Sequence, residues 1–179
     1  MGEYREVEGD LIKLSREGAF DVIAHGCNCF CTQSSGLAPQ MVKVFYTDQF
    51  SMENYLRQGD INKLGQIDSQ LFQVNEDKSV WSPLFNSYTQ SPRVKDLVVI
   101  NAYTQFNYGR NHSDGDSKPV DYEAITLCMR KINHIFKGQH IGLPRIGCGL
   151  AGGRWSVVKG IIQKELKDCQ VTIVNYKNV

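Results

Sequence analysis

The sequence predicts an α/β fold: a three-layer α/β/α sandwich around a mixed, centrally parallel sheet, as a single domain over residues 1–179. Three observations predict it. The last part of the chain alternates segments of strand and helix character in the order β-α-β-α-β, the pattern that builds a parallel sheet with helices on both faces. "DVIAHGCN" is an apolar run closed by small and polar residues, which reads as a buried strand. The segment "DYEAITLCMRKINHIF" places Tyr122, Ile125, Met129, Ile132 and Phe136 at helical spacing.

The elements follow in order. "YREVEGD" reads as a polar edge strand ending at Gly9-Asp10, and "DVIAHGCN" as the buried strand after it. "GLAPQMVKVFY" reads as a helix with Pro39 in its first turn, where no intrahelical N–H is lost. "SMENYLRQG" is a short helix with Ser51 as its cap and Gly59 as its stop. Residues 65–104 are mostly strand, carried by "GQIDSQLFQV" and "LVVINAYT". "NYGRNHSDGDSKP" is a polar loop, and Asp121 caps the helix that follows it. "HIGLPRI" is a strand, "RWSVVKGIIQKELK" a helix and "QVTIVNY" a closing strand.

Composition excludes several classes. The chain of 179 residues is 41% hydrophobic and 22% charged with a net charge of +1, so nothing in the charge balance calls for nucleic acid or an anionic membrane. No apolar stretch approaches the roughly 20 residues that span a bilayer. "MGEYREVEGD" has no apolar signal core, and the expected compartment is the cytoplasm. Cys27, Cys29, Cys31, Cys128, Cys148 and Cys169 are expected as reduced thiols. The one-residue spacing of "CNCFC" is not zinc-site spacing, and on a strand it would point all three thiols one way. No metal and no cofactor are expected.

The chemistry concentrates in loops after strands, where ligands bind in open α/β sheets. "GCGLAGG" sets four glycines in seven residues between a strand and a helix, so that main-chain N–H groups can converge on an anion. It lacks the Gly-Lys-Ser/Thr ending of a P-loop. Gly147, Gly149 and Gly152 fit the dinucleotide fingerprint only by letter, because no acidic residue follows at the required distance. In "AHGCNCFCTQSSGLAPQ", Asn28 stands at a strand end, where an amide can bond a sugar hydroxyl or simply its own backbone. Gly36-Leu37-Ala38 then opens a helix and offers a second set of N–H donors. Two such turns facing one crevice suit a ligand with two phosphates. His25 is the one ready neutral-pH proton carrier near these loops, against the commoner reading of a packed strand histidine. His112 and His134 read as surface residues. Cys148 and Arg154 have the spacing of cysteine-dependent phosphatases, a minor alternative because Trp155 stands where that motif has Ser or Thr.

Taken together, "VEGDLI", "AHGCNCFCTQSSGLAPQM", "VINAYTQFNYGR" with "VDYEAI", and "LPRIGCGLAGGRW" resemble the successive signatures of macro domains, in order over nearly the whole chain. The nearest branch is that of ADP-ribose-1″-phosphate phosphatases and ADP-ribosyl hydrolases. The resemblance implies a pocket for ADP-ribose or a derivative, with an ADP-ribosylated protein as a further partner, no membrane and no sequence-specific nucleic acid. It implies that Asp10 accepts from the adenine amino group with Leu11 beside it, and that Tyr176 lies against adenine. Asn28 would bind the distal ribose, edged by Thr104, Gln105 and Tyr108. Gly36, Leu37 and Ala38 would wall the distal ribose and diphosphate. The loop from Pro144 through Ile146, Gly147, Cys148, Gly149, Leu150 and Ala151 would give the diphosphate its N–H groups.

The chain also departs from that branch. Members that remove ADP-ribose from protein carry a lysine in the third motif and an Asp at the end of "GCGL". Here those positions read Ala102-Tyr103-Thr104-Gln105 and Ala151, and the first loop reads Ser34-Ser35-Gly36 in place of a triple glycine. The expected function is a slow ADP-ribose-1″-phosphate phosphatase with His25 and Asn28 as catalytic residues. The alternatives are a non-catalytic ADP-ribose reader and an ADP-ribosyl or O-acyl-ADP-ribose hydrolase.

Overall fold

In the computed structural model, residues 2–55, 59–76, 80–82, 87–89, 93–108 and 118–177 are described. The strands are β1 (Tyr4–Glu8), β2 (Val22–Asn28), β3 (Ile67–Glu76), β4 (Val80–Ser82), β5 (Ser87–Thr89), β6 (Arg93–Gln105), β7 (His140–Leu143) and β8 (Gln170–Asn175). The α-helices are α1 (Leu11–Arg16), α2 (Ala38–Phe45), α3 (Ser51–Tyr55), α4 (Tyr122–Ile135) and α5 (Trp155–Glu165). Six strands form one sheet in the order β1-β8-β7-β2-β6-β3, parallel except for β3, which runs antiparallel to β6. β4 and β5 pair as a separate hairpin. The α/β/α sandwich expected from the sequence is the observed architecture, with polar β1 on the sheet edge.

Period-two alternation divides the core between the two faces of the sheet. Val22, Ala24, Ile100, Ala102, Ile141, Leu143, Val171 and Ile173 pack against Ile125, Cys128, Met129 and Ile132 of α4 and Val158 and Ile162 of α5. Ile23, Leu97, Val99 and Val174 pack on the other face with Leu11 and Ile12 of α1 and Met41 and Phe45 of α2. Asp121 caps α4 by accepting from the Ala124 amide at 2.9 Å.

Several local expectations are corrected. The strand in "HIGLPRI" stops at Leu143, because Pro144 has no N–H to continue the ladder. α1 was not expected; Asp10 caps it, accepting from the Lys13 amide at 3.0 Å. Ser51 is the first helical residue of α3 rather than its cap. Asp68 of β3 takes that role, accepting from the Met52 N–H at 2.6 Å and from the Ser51 hydroxyl at 3.1 Å. The thiols of "CNCFC" do not share a strand face: β2 ends at Asn28, and Cys31 sits in a turn with φ of 61°. The polar loop expected around residues 109–117, with His112, lies outside the described residues. His134 is exposed on α4.

β2 and β7 pair at only two positions, Val22 with Ile141 and Ile23 with Gly142. Beyond them β2 continues while β7 turns away, so the carboxyl ends of these central strands part. This is also where strand order departs in both directions from β2, the place where open α/β sheets bind ligands.

Candidate functional site

A cavity of about 430 Å³ occupies the parting and is walled by the loops after β2, β6 and β7. A second hollow beside it shares Gly36, Leu37, Pro144, Arg145 and Gly149, and extends to Leu11, Trp155 and Tyr176. The two form one continuous, two-lobed groove.

The glycine loop is built by conformations that only glycine adopts readily. Gly147 and Gly152 have φ of 72° and 73°. A Cβ on Gly153 would stand 2.5 Å from the Gly147 carbonyl oxygen, so the loop closes on itself there, with the Gly153 amide donating to that oxygen at 2.8 Å. The amides of Cys148, Gly152 and Gly153 are consumed in these turns. Those of Gly147, Gly149, Leu150 and Ala151 have no protein acceptor among the described residues. On the facing wall Gly36, with φ of 65°, leads into α2, whose start has no side-chain cap. The amides of Gly36, Leu37 and Ala38 are likewise without a protein acceptor. All seven of these residues line the 430 Å³ cavity, and α2 adds the positive end of its dipole.

The floor comes from β2 and β6. A register shift at Cys27/Asn28 leaves Thr104 as the extra residue of a bulge, since Cys27 pairs with Tyr103 and Asn28 with Gln105. Thr104 is buried, and its hydroxyl has no hydrogen-bond partner among the described residues. A Cβ on Gly26 would stand 2.9 Å from that hydroxyl and 3.3 Å from Ile146, so Gly26 keeps the floor open. An orphaned buried hydroxyl on a cavity floor is a hydrogen-bonding group waiting for a ligand or water.

Of the residues expected from the sequence, Asn28, Gly36, Leu37, Ala38, Thr104, Gln105, Tyr108, Pro144, Ile146, Gly147, Gly149, Leu150 and Ala151 line the first lobe. Leu11, Cys148 and Tyr176 line the second. Asp10 lines neither; it faces a separate hollow with Ile12 and Lys13. Arg145 was missed. It lines both lobes, stacks over Trp155 at 5.2 Å and donates from Nε to Asn175 at 2.9 Å, which holds a cation at the junction. The signal was present: an arginine directly after a strand end, in a glycine loop without carboxylates.

Two side chains differ from their expected character. His25 is 2% exposed, and its Nε2 is 2.7 Å from Asn101 Oδ1, whose amide nitrogen in turn donates to the Thr47 carbonyl. Burial pushes its pKa down to about 4, against a smaller upward pull from Asn101. It is therefore a neutral, bonded ring at pH 7, not the ready proton carrier that an unperturbed histidine would be. Asn28 spends most of its amide on its own turn: Oδ1 accepts from the Phe30 and Thr32 amides, and Nδ2 donates to the Thr32 carbonyl. Among the described residues no carboxylate lines the first lobe. The Cys148–Arg154 reading loses its geometry and its chemistry. Arg154 is exposed and lines neither lobe, and burial raises the Cys148 pKa despite Arg145 nearby, away from the thiolate.

The fold and the groove together define the class: the chain has the macrodomain fold. It superimposes on the macrodomain of Thermus aquaticus DarG with a TM-score of 0.59 at 20% identity, covering 99% of this chain and 100% of that one. It matches Thermosipho africanus DarTG in complex with ADP-ribose with a TM-score of 0.63 at 18% identity, over 100% of this chain and 43% of that one. A Streptomyces coelicolor macrodomain protein gives a TM-score of 0.58 at 24% identity, with 99% and 100% covered.

No family model matches the chain. In sequence it is 30% identical over 175 residues, 96% of this chain and 95% of the relative, to the 17.5 kDa protein of the tk–vs intergenic region of Enterobacteria phage T4. It belongs to the same family as that phage protein.

Proposed function

We propose that the groove binds ADP-ribose or a derivative of it, with the diphosphate between the two sets of amides, the distal ribose in the 430 Å³ lobe and adenine toward Leu11 and Tyr176. The observation that carries this reading is that seven residues lining one cavity have main-chain amides with no acceptor among the described residues, with Arg145 at the cavity's edge. Such a cradle suits a dianionic linker and is indifferent to side-chain identity. Thr104 supplies the hydroxyl for a ribose oxygen. The presence of ADP-ribose in the Thermosipho relative supports the choice of ligand.

Thermal melting tests it. A ligand at 100 times its Kd stabilises by about 2.7 kcal/mol, which for a chain of this size raises Tm by roughly 5–10 °C. Gly149→Asp is the matched control. A Cβ there meets no described residue within 4 Å, so the variant is expected to keep the fold and to set a carboxylate against the diphosphate. The expected result is a normal melt without ligand and no shift with it. A shift that survives Gly149→Asp, or no shift in the native protein, rejects the reading.

The same cradle supports a finer reading, a slow ADP-ribose-1″-phosphate phosphatase, because amides aimed at a terminal phosphate stabilise the charge that develops as the ester breaks. His25 would then act as a neutral base and Asn28 as a positioning group. The buried state of His25 and the carboxylate-free lobe make the expected turnover slow. Phosphate release that is unchanged in both His25→Ala and Asn28→Ala rejects those roles. Tight binding without release of phosphate selects the reader.

A further inference from the structure

Outside the groove, the least ordinary group in the molecule is Lys63. It ends a 3-10 turn, Ile61–Lys63, and is wholly buried. Its Nζ lies 5.6 Å from the centre of the Tyr103 ring and 2.6 Å from Cys31 Sγ. That separation is short for sulfur. Among the described residues, the contacts of the Cys27, Cys128 and Cys169 sulfurs and that between Cys31 and the Cys29 carbonyl run from 3.3 Å to 3.9 Å. Sulfur is larger than oxygen, and an N–H···S bond is correspondingly longer than the ~2.9 Å of N–H···O. A gap of 2.6 Å is instead the span of an N–O and an O–S bond meeting at one bent oxygen.

The setting favours a reaction over a simple contact. Cys31 is held in the left-handed region, at φ of 61°, by a turn whose Cys31 amide donates to the Asn28 carbonyl at 3.2 Å. It is partly exposed, so a small oxidant reaches it, whereas Cys27 and Cys29 beside it are buried. Burial raises the Cys31 pKa, against the pull of Lys63 and with the buried carboxylate of Glu53 adding to it, so the sulfur enters the reaction as the thiol.

We propose that Cys31 and Lys63 form a reducible cross-link in which one oxygen atom bridges Nζ and Sγ, with molecular oxygen as the oxidant. From the thiol and the neutral amine, the S–H bond and one N–H bond break, and S–O and O–N bonds form. Dioxygen accepts four electrons, two from sulfur and two from nitrogen. One of its oxygen atoms becomes the bridge, and the other leaves as water with the two hydrogens. The step extends the oxidation chemistry of a partly exposed thiol, captured by the amine before higher oxides form. The bridge ties the loop carrying Thr32 to Gly36, one wall of the groove, to the turn at 61–63. The proposal does not rest on the ligand assigned to the groove.

Non-reducing peptide mapping by mass spectrometry tests it on the native chain, fully reduced and then held in air-saturated buffer. The expected species is one linked peptide pair containing Cys31 and Lys63. It is heavier than the two peptides by one oxygen and lighter by two hydrogens, and dithiothreitol abolishes it. Lys63→Arg and Cys31→Ser are expected to lack it. The native map decides even if a variant fails to fold. Loss of two hydrogens without oxygen (a disulfide), sulfinic or sulfonic acid on Cys31, a free Cys31 and Lys63 after exposure, or the same mass change in Lys63→Arg would each overturn the proposal.

Discussion

The burial of His25 has a measurable consequence for acid stability. Its pKa is 6.5 in an unfolded chain and about 4 in the fold. The neutral ring is the form the fold accepts, so the unfolded state binds the extra proton between those two values. The contribution is complete above the unfolded pKa, falls as pH drops toward 4, and is fully lost below it. A difference of about 2.5 pKa units corresponds to about 3.4 kcal/mol in total. At roughly pH 4.5 about 2.5 kcal/mol of it has gone. The comparison is with His25→Gln, whose amide can still donate to Asn101 but cannot take a proton in this range. Urea melts of both proteins at neutral pH and near pH 4.5 isolate the term as a double difference. His140, whose pKa burial also lowers, contributes equally to both and cancels. The expected result is that the native protein loses about 2.5 kcal/mol more than the variant on acidification. Equal losses, or a His25 ring that titrates near 6.5 by NMR, would refute the reasoning and restore His25 as a proton carrier at neutral pH.

Three further perturbations separate what the fold needs from what it tolerates. Gly153→Ala drives a methyl group against the Gly147 carbonyl, so calorimetry is expected to show a loss of roughly 1–3 kcal/mol, with ADP-ribose affinity falling alongside. Asp121→Ala removes the α4 cap and is expected to cost about 1 kcal/mol by urea melt, leaving ligand binding unchanged. Arg130→Ala breaks a two-pronged pair between an exposed guanidinium and Glu165, at 3.0 and 3.2 Å, and is expected to leave the urea midpoint nearly unchanged, because solvent screens Arg130.

The sequence made the fold legible where burial imposes a period. α4 repeats its apolar residues over fourteen positions and carries its cap in sequence, so its start was readable to the residue. α1 has six residues, fewer than two turns and too few for a period to show, and its formation depends on packing Leu11 and Ile12 under the sheet. The cap of α3 was misread because the carboxylate that supplies it, Asp68, lies 16 residues from the Met52 amide it accepts from. At the groove, strand ends and glycines located the cavity, since both are local signals. The state of His25 was not legible, because it is set by burial, which only the closed fold creates, and its bonding partner Asn101 lies 76 residues away. Nothing local to Lys63 signals its burial, which the fold alone produces.

The glycines themselves show which demands come from the fold and which do not. Gly36, Gly147 and Gly152 are held at positive φ, and Gly153 has no room for a Cβ, so the backbone alone explains all four. Gly149 is different. Its φ lies outside the left-handed region, and a Cβ there would touch no described residue within 4 Å. Glycine in such a place costs conformational entropy without relieving any strain in the chain. The space it leaves lies inside the groove, at a residue common to both lobes, beside amides with no protein acceptor. No described residue fills that space, and the ligand proposed for the groove, bridging the two lobes against the main chain, would occupy it. Gly149→Ala sharpens the point beyond the aspartate variant, because it adds volume without charge. Stability should hold or rise by up to about 1 kcal/mol while affinity for ADP-ribose falls. Affinity that holds as well would leave Gly149 with no role in either the fold or the ligand.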